Sequence, residues 1–225
     1  MVRNTNPNLL AGLNSYIRKE YRQTFYNVIK SKYFTDKSRK QLYRDERITK
    51  DSTLSPYDLI VQNQAKRHQF DWRLITAQMY QESKFDPEAK SFAGALGLMQ
   101  VLPSTAEELG YSDLTEPKES ISAGVDYLNW TKQRFDEDLP LEERILFALA
   151  SYNVGYGHVY DARRLAGQLG LDANVWFNNV ERAILLLQQP KYYKKARFGY
   201  CRGSEPVQYV RSIHQRYLSY IELTQ

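Results

Sequence analysis

The chain has 225 residues, 42% hydrophobic and 25% charged, which is enough to bury a core and excludes wholesale disorder. The single cysteine, Cys201, excludes an intramolecular disulfide framework, and His68, His158 and His214 lie too far apart for a local ligand pair, so neither a metal nor a cofactor is expected. The net charge of +5 divides into +8 over residues 1–50, −8 over 51–190 and +5 over 191–225, and an acidic middle between basic ends argues against nucleic acid as the partner.

Residues 8–34 place Leu9, Leu10, Leu13, Ile17, Tyr21, Phe25, Val28 and Ile29 on one stripe, which predicts one or two amphipathic helices. Residues 35–54 are polar, charged and poor in apolar anchors, as in a linker. No apolar leader segment opens the chain, and no run is long enough to span a bilayer. Ser55-Pro56 predicts a helix start, with the helix running to His68. Asp71 caps the next helix, which Pro87 ends near Phe85. A Gly/Ala-rich loop follows, and Ser104 opens a short helix ending at Gly110. Further helices are predicted over 117–135, 140–152, 156–169, 175–188 and 205–223. The part from residue 55 onward reads as one mainly α domain.

Three segments carry candidate chemistry. Glu82 lies at the end of an otherwise apolar helix. The negative end of the helix dipole and partial burial both disfavour its ionised form, as a general acid requires. A surface glutamate paired with Lys84 or Arg73 satisfies the position equally well. In the loop after it, Gly94 and Gly97 permit tight turns, Met99 offers an apolar contact and Gln100 an amide. The third segment, Ala150 to Gly157, is a helix end with Asn153 and Gly155 as breakers and Tyr152 within reach of a carboxylate. Neither Asp86, better placed to cap a turn, nor Glu88 makes a convincing second carboxylate. The 18 tyrosines fit either a tyrosine-rich core or a ring-stacking sugar groove.

Together, ESKFDP (82–87), GALGLMQVLPSTA (94–106) and ASYNVGYG (150–157) resemble the lysozyme-like catalytic domain of the soluble-type lytic transglycosylases. Tyr209, Val210 and Ile213 fit the last motif of that family. RGSEPVQYV (202–210) and residues 6–34 look most like a membrane-bound branch in which a solute-binding-like domain precedes the catalytic one. The resemblance implies a goose-type lysozyme/SLT helical fold over 55–225. It also implies a charged linker over 36–54, and over 1–35 a short helical remnant of a larger domain lying outside this chain.

The implied activity is cleavage of the MurNAc-β-1,4-GlcNAc bond of peptidoglycan glycan strands with formation of 1,6-anhydro ends. Glu82 would be the acid/base. Ser83, Ser91, Met99, Gln100, Leu102, Tyr152, Asn153 and Tyr209 would support or bind the substrate, with Tyr192 and Tyr193 as weaker groove candidates. The resemblance further implies a periplasmic monomer, associated with the outer membrane through a region outside this chain, with no nucleic-acid partner. The alternatives are a goose-type-lysozyme-like muramidase and a non-catalytic peptidoglycan-binding module.

Overall fold

The chain divides into two compact units, Met1–Asp51 and Ser52–Gln225. The structure, a computed structural model, describes residues 53–224 and the isolated Ser15. The helices expected over 8–34 and nearly all of the linker lie outside the described residues.

Within 53–224 the secondary structure is helical: α1 (Asp58–Arg67), α2 (Trp72–Ser83), α3 (Pro103–Glu108), α4 (Pro117–Lys132), α5 (Leu141–Val154), α6 (Tyr156–Gln168), α7 (Glu181–Leu186), α8 (Pro190–Tyr193) and α9 (Ser204–Leu223). The only β pairing among the described residues is a pair of isolated bridges, Lys90 with Leu96 and Leu96 with Val101.

The start signals lie close to the predicted positions, with adjustments that have physical causes. Ser55 is not the cap residue. A turn intervenes and α1 begins at Asp58, whose carboxylate accepts from Ser55 Oγ (2.6 Å) and the Leu54 amide (2.7 Å). Asp71 caps α2 by accepting from the Arg73 amide at 2.9 Å. The short third helix opens at Pro103 rather than Ser104, because proline fits a first helical turn that needs no N–H. Helix α5 runs through Asn153 to Val154, so Asn153 is no breaker; Gly155, with φ +88°, ends it.

The single helix expected over 175–188 is broken. Phe177 is extended (ψ 134°) and Asn178 is left-handed (φ 62°), so a π-type turn, Trp176–Val180, precedes α7. The cause is tertiary. Buried Glu181 accepts from the Asn178 amide (2.8 Å) and takes both arms of the Arg211 guanidinium from α9 (2.7 and 3.0 Å).

Helix α5 forms the centre. Leu146, Phe147, Ala148, Leu149 and Ala150 are all buried, as expected for a helix apolar on every side. It packs against α4, α6 and α9, and α9 in turn lies along α2. The rings of Phe135 and Trp176 close on Phe147 at 5.3 and 6.1 Å.

The loop from Lys84 to Leu102 is held from within. Lys84 and Phe85 are both left-handed (φ 58° and 68°), so α2 stops at Ser83, two residues before the predicted end. The amide of Gly97 donates to the Ala89 carbonyl (2.9 Å), and that of Leu96 to Val101 (3.0 Å). Gly97 has φ +72°, and a Cβ there would stand 1.8 Å from the Leu114 carbonyl oxygen. Gly124 of α4 is equally constrained, since Met99 fills the space beside it. Gly97→Ala is expected to cost roughly 3 kcal/mol, from left-handed strain and a backbone clash together. Urea unfolding of the variant would show this as a lowered midpoint, and an unchanged midpoint would contradict it.

Candidate active site

Glu82 is the penultimate residue of α2. The helix ends one residue later, and its other positions are mostly buried. The hydroxyl of Tyr209, from α9, donates to Glu82 Oε1 at 2.5 Å. Gln78, one turn earlier on α2, donates from Nε2 to the same phenol oxygen at 3.1 Å. Burial raises the Glu82 carboxyl from 4.5 to about 7, against the bond from Tyr209, which favours the ionised form. The cations named as rival partners are engaged elsewhere: Arg73 holds Asp71 (2.7 Å), and the Lys84 ammonium lies over the Tyr80 ring at 3.8 Å.

Tyr152 approaches from the end of α5. Burial, then the Glu82 charge, then Tyr127 hold its phenol far from ionisation. Its hydroxyl donates to the Met99 carbonyl at 2.7 Å, so it fastens the loop and does not bond Glu82. The ring of Tyr127 backs it at 4.9 Å.

The other predicted residues separate into two groups. Ser83 donates to the Met79 carbonyl, one turn earlier on its own helix (3.3 Å), and is buried. Met99 has no exposed surface; its side chain belongs to the core against Gly124, and only its carbonyl meets Tyr152. Both amide hydrogens of Gln100 are used inside the loop, on the Ala89 and Gly97 carbonyls (2.9 Å each), which leaves its carbonyl oxygen for a ligand. Ser91 Oγ accepts from the Ala95 amide at 2.9 Å. Leu102 and Asn153 are exposed.

Tyr192 lies elsewhere, lining a cavity of about 270 Å³ with Arg164, Leu165, Leu187, Lys191 and Lys195. The Tyr193 ring packs on Tyr200 at 5.7 Å. Asp86 accepts from the Glu88 amide at 2.9 Å in an exposed turn. Sequence reasoning missed Gln78. A polar residue four positions before Glu82, on an otherwise apolar face, was the available signal.

Glu82, half-buried, bonded by Tyr209 and close to Tyr152, is thus the centre of the candidate site in this helical domain. Residues 60–174 match the family described as Transglycosylase SLT domain, and the chain belongs to that family. Its relatives include the membrane-bound lytic murein transglycosylase F of Desulfosudis oleivorans, 44% identical over 164 residues (73% of this chain, 35% of the relative). The protein of the same description from Shewanella loihica is 39% identical over 218 residues (95% of this chain, 45% of the relative). The chain thus spans less than half the length of these relatives. The mainly α fold is shared with the 70 kDa soluble lytic transglycosylase of Escherichia coli, at TM-score 0.53 and 25% identity over 74% of this chain and 24% of that one. An inactive mutant of the lytic transglycosylase Slt from Pseudomonas aeruginosa gives TM-score 0.54 and 23% identity, over 76% and 25% of the two chains.

The raised carboxyl makes a stability prediction. The folded state holds the Glu82 proton more tightly than the unfolded chain. That contribution is complete below 4.5 and is lost as pH rises through about 7. Glu82→Gln cannot ionise. Its stability should match wild type near pH 4 and exceed it by roughly 2 kcal/mol near pH 8. Thermal unfolding at both pH values checks this, and a variant no more stable than wild type at the higher pH would contradict it.

Proposed function

We propose that this chain is the catalytic part of a peptidoglycan lytic transglycosylase in which Glu82 serves as acid and then as base. The observation that carries the reading is the Glu82 carboxyl, raised to about 7 and hydrogen-bonded by Tyr209. At neutral pH both protonation states are populated, so one group can give a proton and take one back.

In the first step Glu82 donates its proton to the oxygen linking N-acetylmuramic acid to N-acetylglucosamine, and the C1–O bond breaks. The 2-acetamido group of the muramyl residue assists at C1. The Glu82 carboxylate then removes the proton of the muramyl C6 hydroxyl, whose oxygen bonds to C1. A 1,6-anhydro ring forms, no water is consumed, and Glu82 ends protonated as it began. Two-carboxylate glycosidases divide these roles. Here Asp86 and Glu88 lie in an exposed turn, and the influences on Glu82 among the described residues are burial and a phenol.

Tyr209 orients the acid and Tyr152 fixes the loop that carries Gln100. Ser91, Leu102 and Asn153 supply the wall and the polar contacts of the sugar groove, while Ser83 and Met99 support it from inside. The division of the chain at Asp51/Ser52 supports reading 55–225 as the catalytic domain; a linker over 36–54 and a helical segment over 1–35 complete the proposed organisation. The relatives' membrane-bound description supports a place in the periplasmic cell envelope. No helix among the described residues is long and apolar enough to cross a membrane.

Digestion of purified sacculi followed by mass spectrometry tests the reading. Wild type should release anhydro-muropeptides about 18 Da lighter than their reducing counterparts, the mass of the water that hydrolysis adds. Glu82→Gln should release none while remaining folded. Reducing ends alone would make the protein a muramidase, and unchanged product from the variant would remove Glu82 from the chemistry.

A further inference from the structure

Gln78 is an amide on the wholly buried face of α2, where its neighbours Ile75, Ala77 and Met79 have no exposed surface and neither does Gln78 itself. It stands four residues before Glu82, so the two side chains lie on one face of the helix. Its Nε2 donates to the Tyr209 hydroxyl at 3.1 Å, and that hydroxyl donates to Glu82 Oε1 at 2.5 Å. Its own Oε1 has no hydrogen-bond partner among the described residues. A buried carbonyl without a partner is costly, and methionine or leucine would fill this position without the cost. The amide is therefore explained by what its donor side does.

A phenol has one proton. With the Gln78 N–H on its oxygen, that proton points along the remaining direction, at Glu82 Oε1. Oε1 is then an acceptor in both protonation states, and the proton that Glu82 transfers must reside on Oε2. Donation by Gln78 also makes the phenol a stronger donor, because linked hydrogen bonds polarise one another. The other phenol near Glu82, Tyr152 from α5, cannot substitute, since its proton is committed to the Met99 carbonyl. We infer that Gln78 is a positioning residue for Glu82: through Tyr209 it fixes the transferable proton on Oε2 and sets the balance between the two protonation states. The inference rests on the acid/base reading of Glu82 given above.

The test uses the full chain with ¹³C-labelled glutamate carboxyls, whose NMR shifts follow Glu82 protonation without turnover, alongside cleavage kinetics against pH. Tyr209→Phe removes the donor to Glu82 and should raise its titration midpoint. Gln78→Met should raise it by a smaller amount. The double variant should titrate as Tyr209→Phe alone, because Gln78 acts only through the phenol. In cleavage, Gln78→Met should lower kcat roughly tenfold with KM little changed and move the alkaline limb to higher pH. Its melting temperature should equal or exceed that of wild type, whereas a merely structural amide would lower it. Gln78→Glu provides a second route if the methionine does not fold. The new carboxylate would draw the phenol proton away and raise the Glu82 midpoint further.

A Glu82 midpoint that ignores both substitutions, or shifts that add in the double variant, would overturn the inference. A wild-type chain in which Glu82 titrates as described but no glycan is cleaved would instead overturn the proposed function and leave the Gln78–Tyr209–Glu82 chain standing.

Discussion

The bond from Tyr209 to Glu82 is the contact on which the site depends. It joins the end of the second described helix to the last one, 127 residues away. Without it the carboxyl would stay protonated to still higher pH. A carboxyl taken largely out of water loses much of its hydration, and one well-aimed hydroxyl restores part of what the ionised form needs. The phenol in turn is positioned because α9 is fastened along its length. Arg211 pairs with buried Glu181, Tyr217 donates to Asp71 at 3.0 Å, and Thr224 meets Arg73 at 3.3 Å. Asp71 therefore caps α2 and anchors the helix that completes the site, so the start of α2 and the chemistry at its end are secured against the same partner.

The loop after Glu82 is rigid for reasons that do not involve a ligand. Two consecutive left-handed residues turn the chain sharply. Gly97 then admits the Leu114 carbonyl where any side chain would clash. Gln100 closes the loop with its own amide, and Tyr152 holds the Met99 carbonyl from outside.

Features written in neighbouring residues were legible in the sequence. The Asp71 cap and the glycine that ends α5 each depend on a few adjacent positions. The candidate Glu82 stands in a motif that is complete in the sequence. What escaped was decided by partners far along the chain. Nothing near Tyr152 or Tyr209 tells which phenol reaches the carboxyl, yet one bonds Glu82 and the other a backbone carbonyl. Met99 and Ser83 look like groove residues in a motif, but burial turns both inward. The stretch 175–188 has helical spacing throughout. Its break comes from the Glu181–Arg211 pair, which joins elements 30 residues apart.

A group that first gives a proton and then takes one must keep both states within a few kcal/mol of each other, and the surroundings of Glu82 have this character. A cation at contact distance would hold the carboxyl ionised and spoil the acid. A second carboxylate would hold it protonated and spoil the base. Neither is among the causes acting on Glu82 in the described residues, where burial pushes one way and a phenol pushes the other. The partners that reach it, Tyr209 directly and Gln78 through it, are neutral dipoles whose effect on either state is moderate. A single carboxyl poised by dipoles rather than by charge can occupy both roles in one turnover.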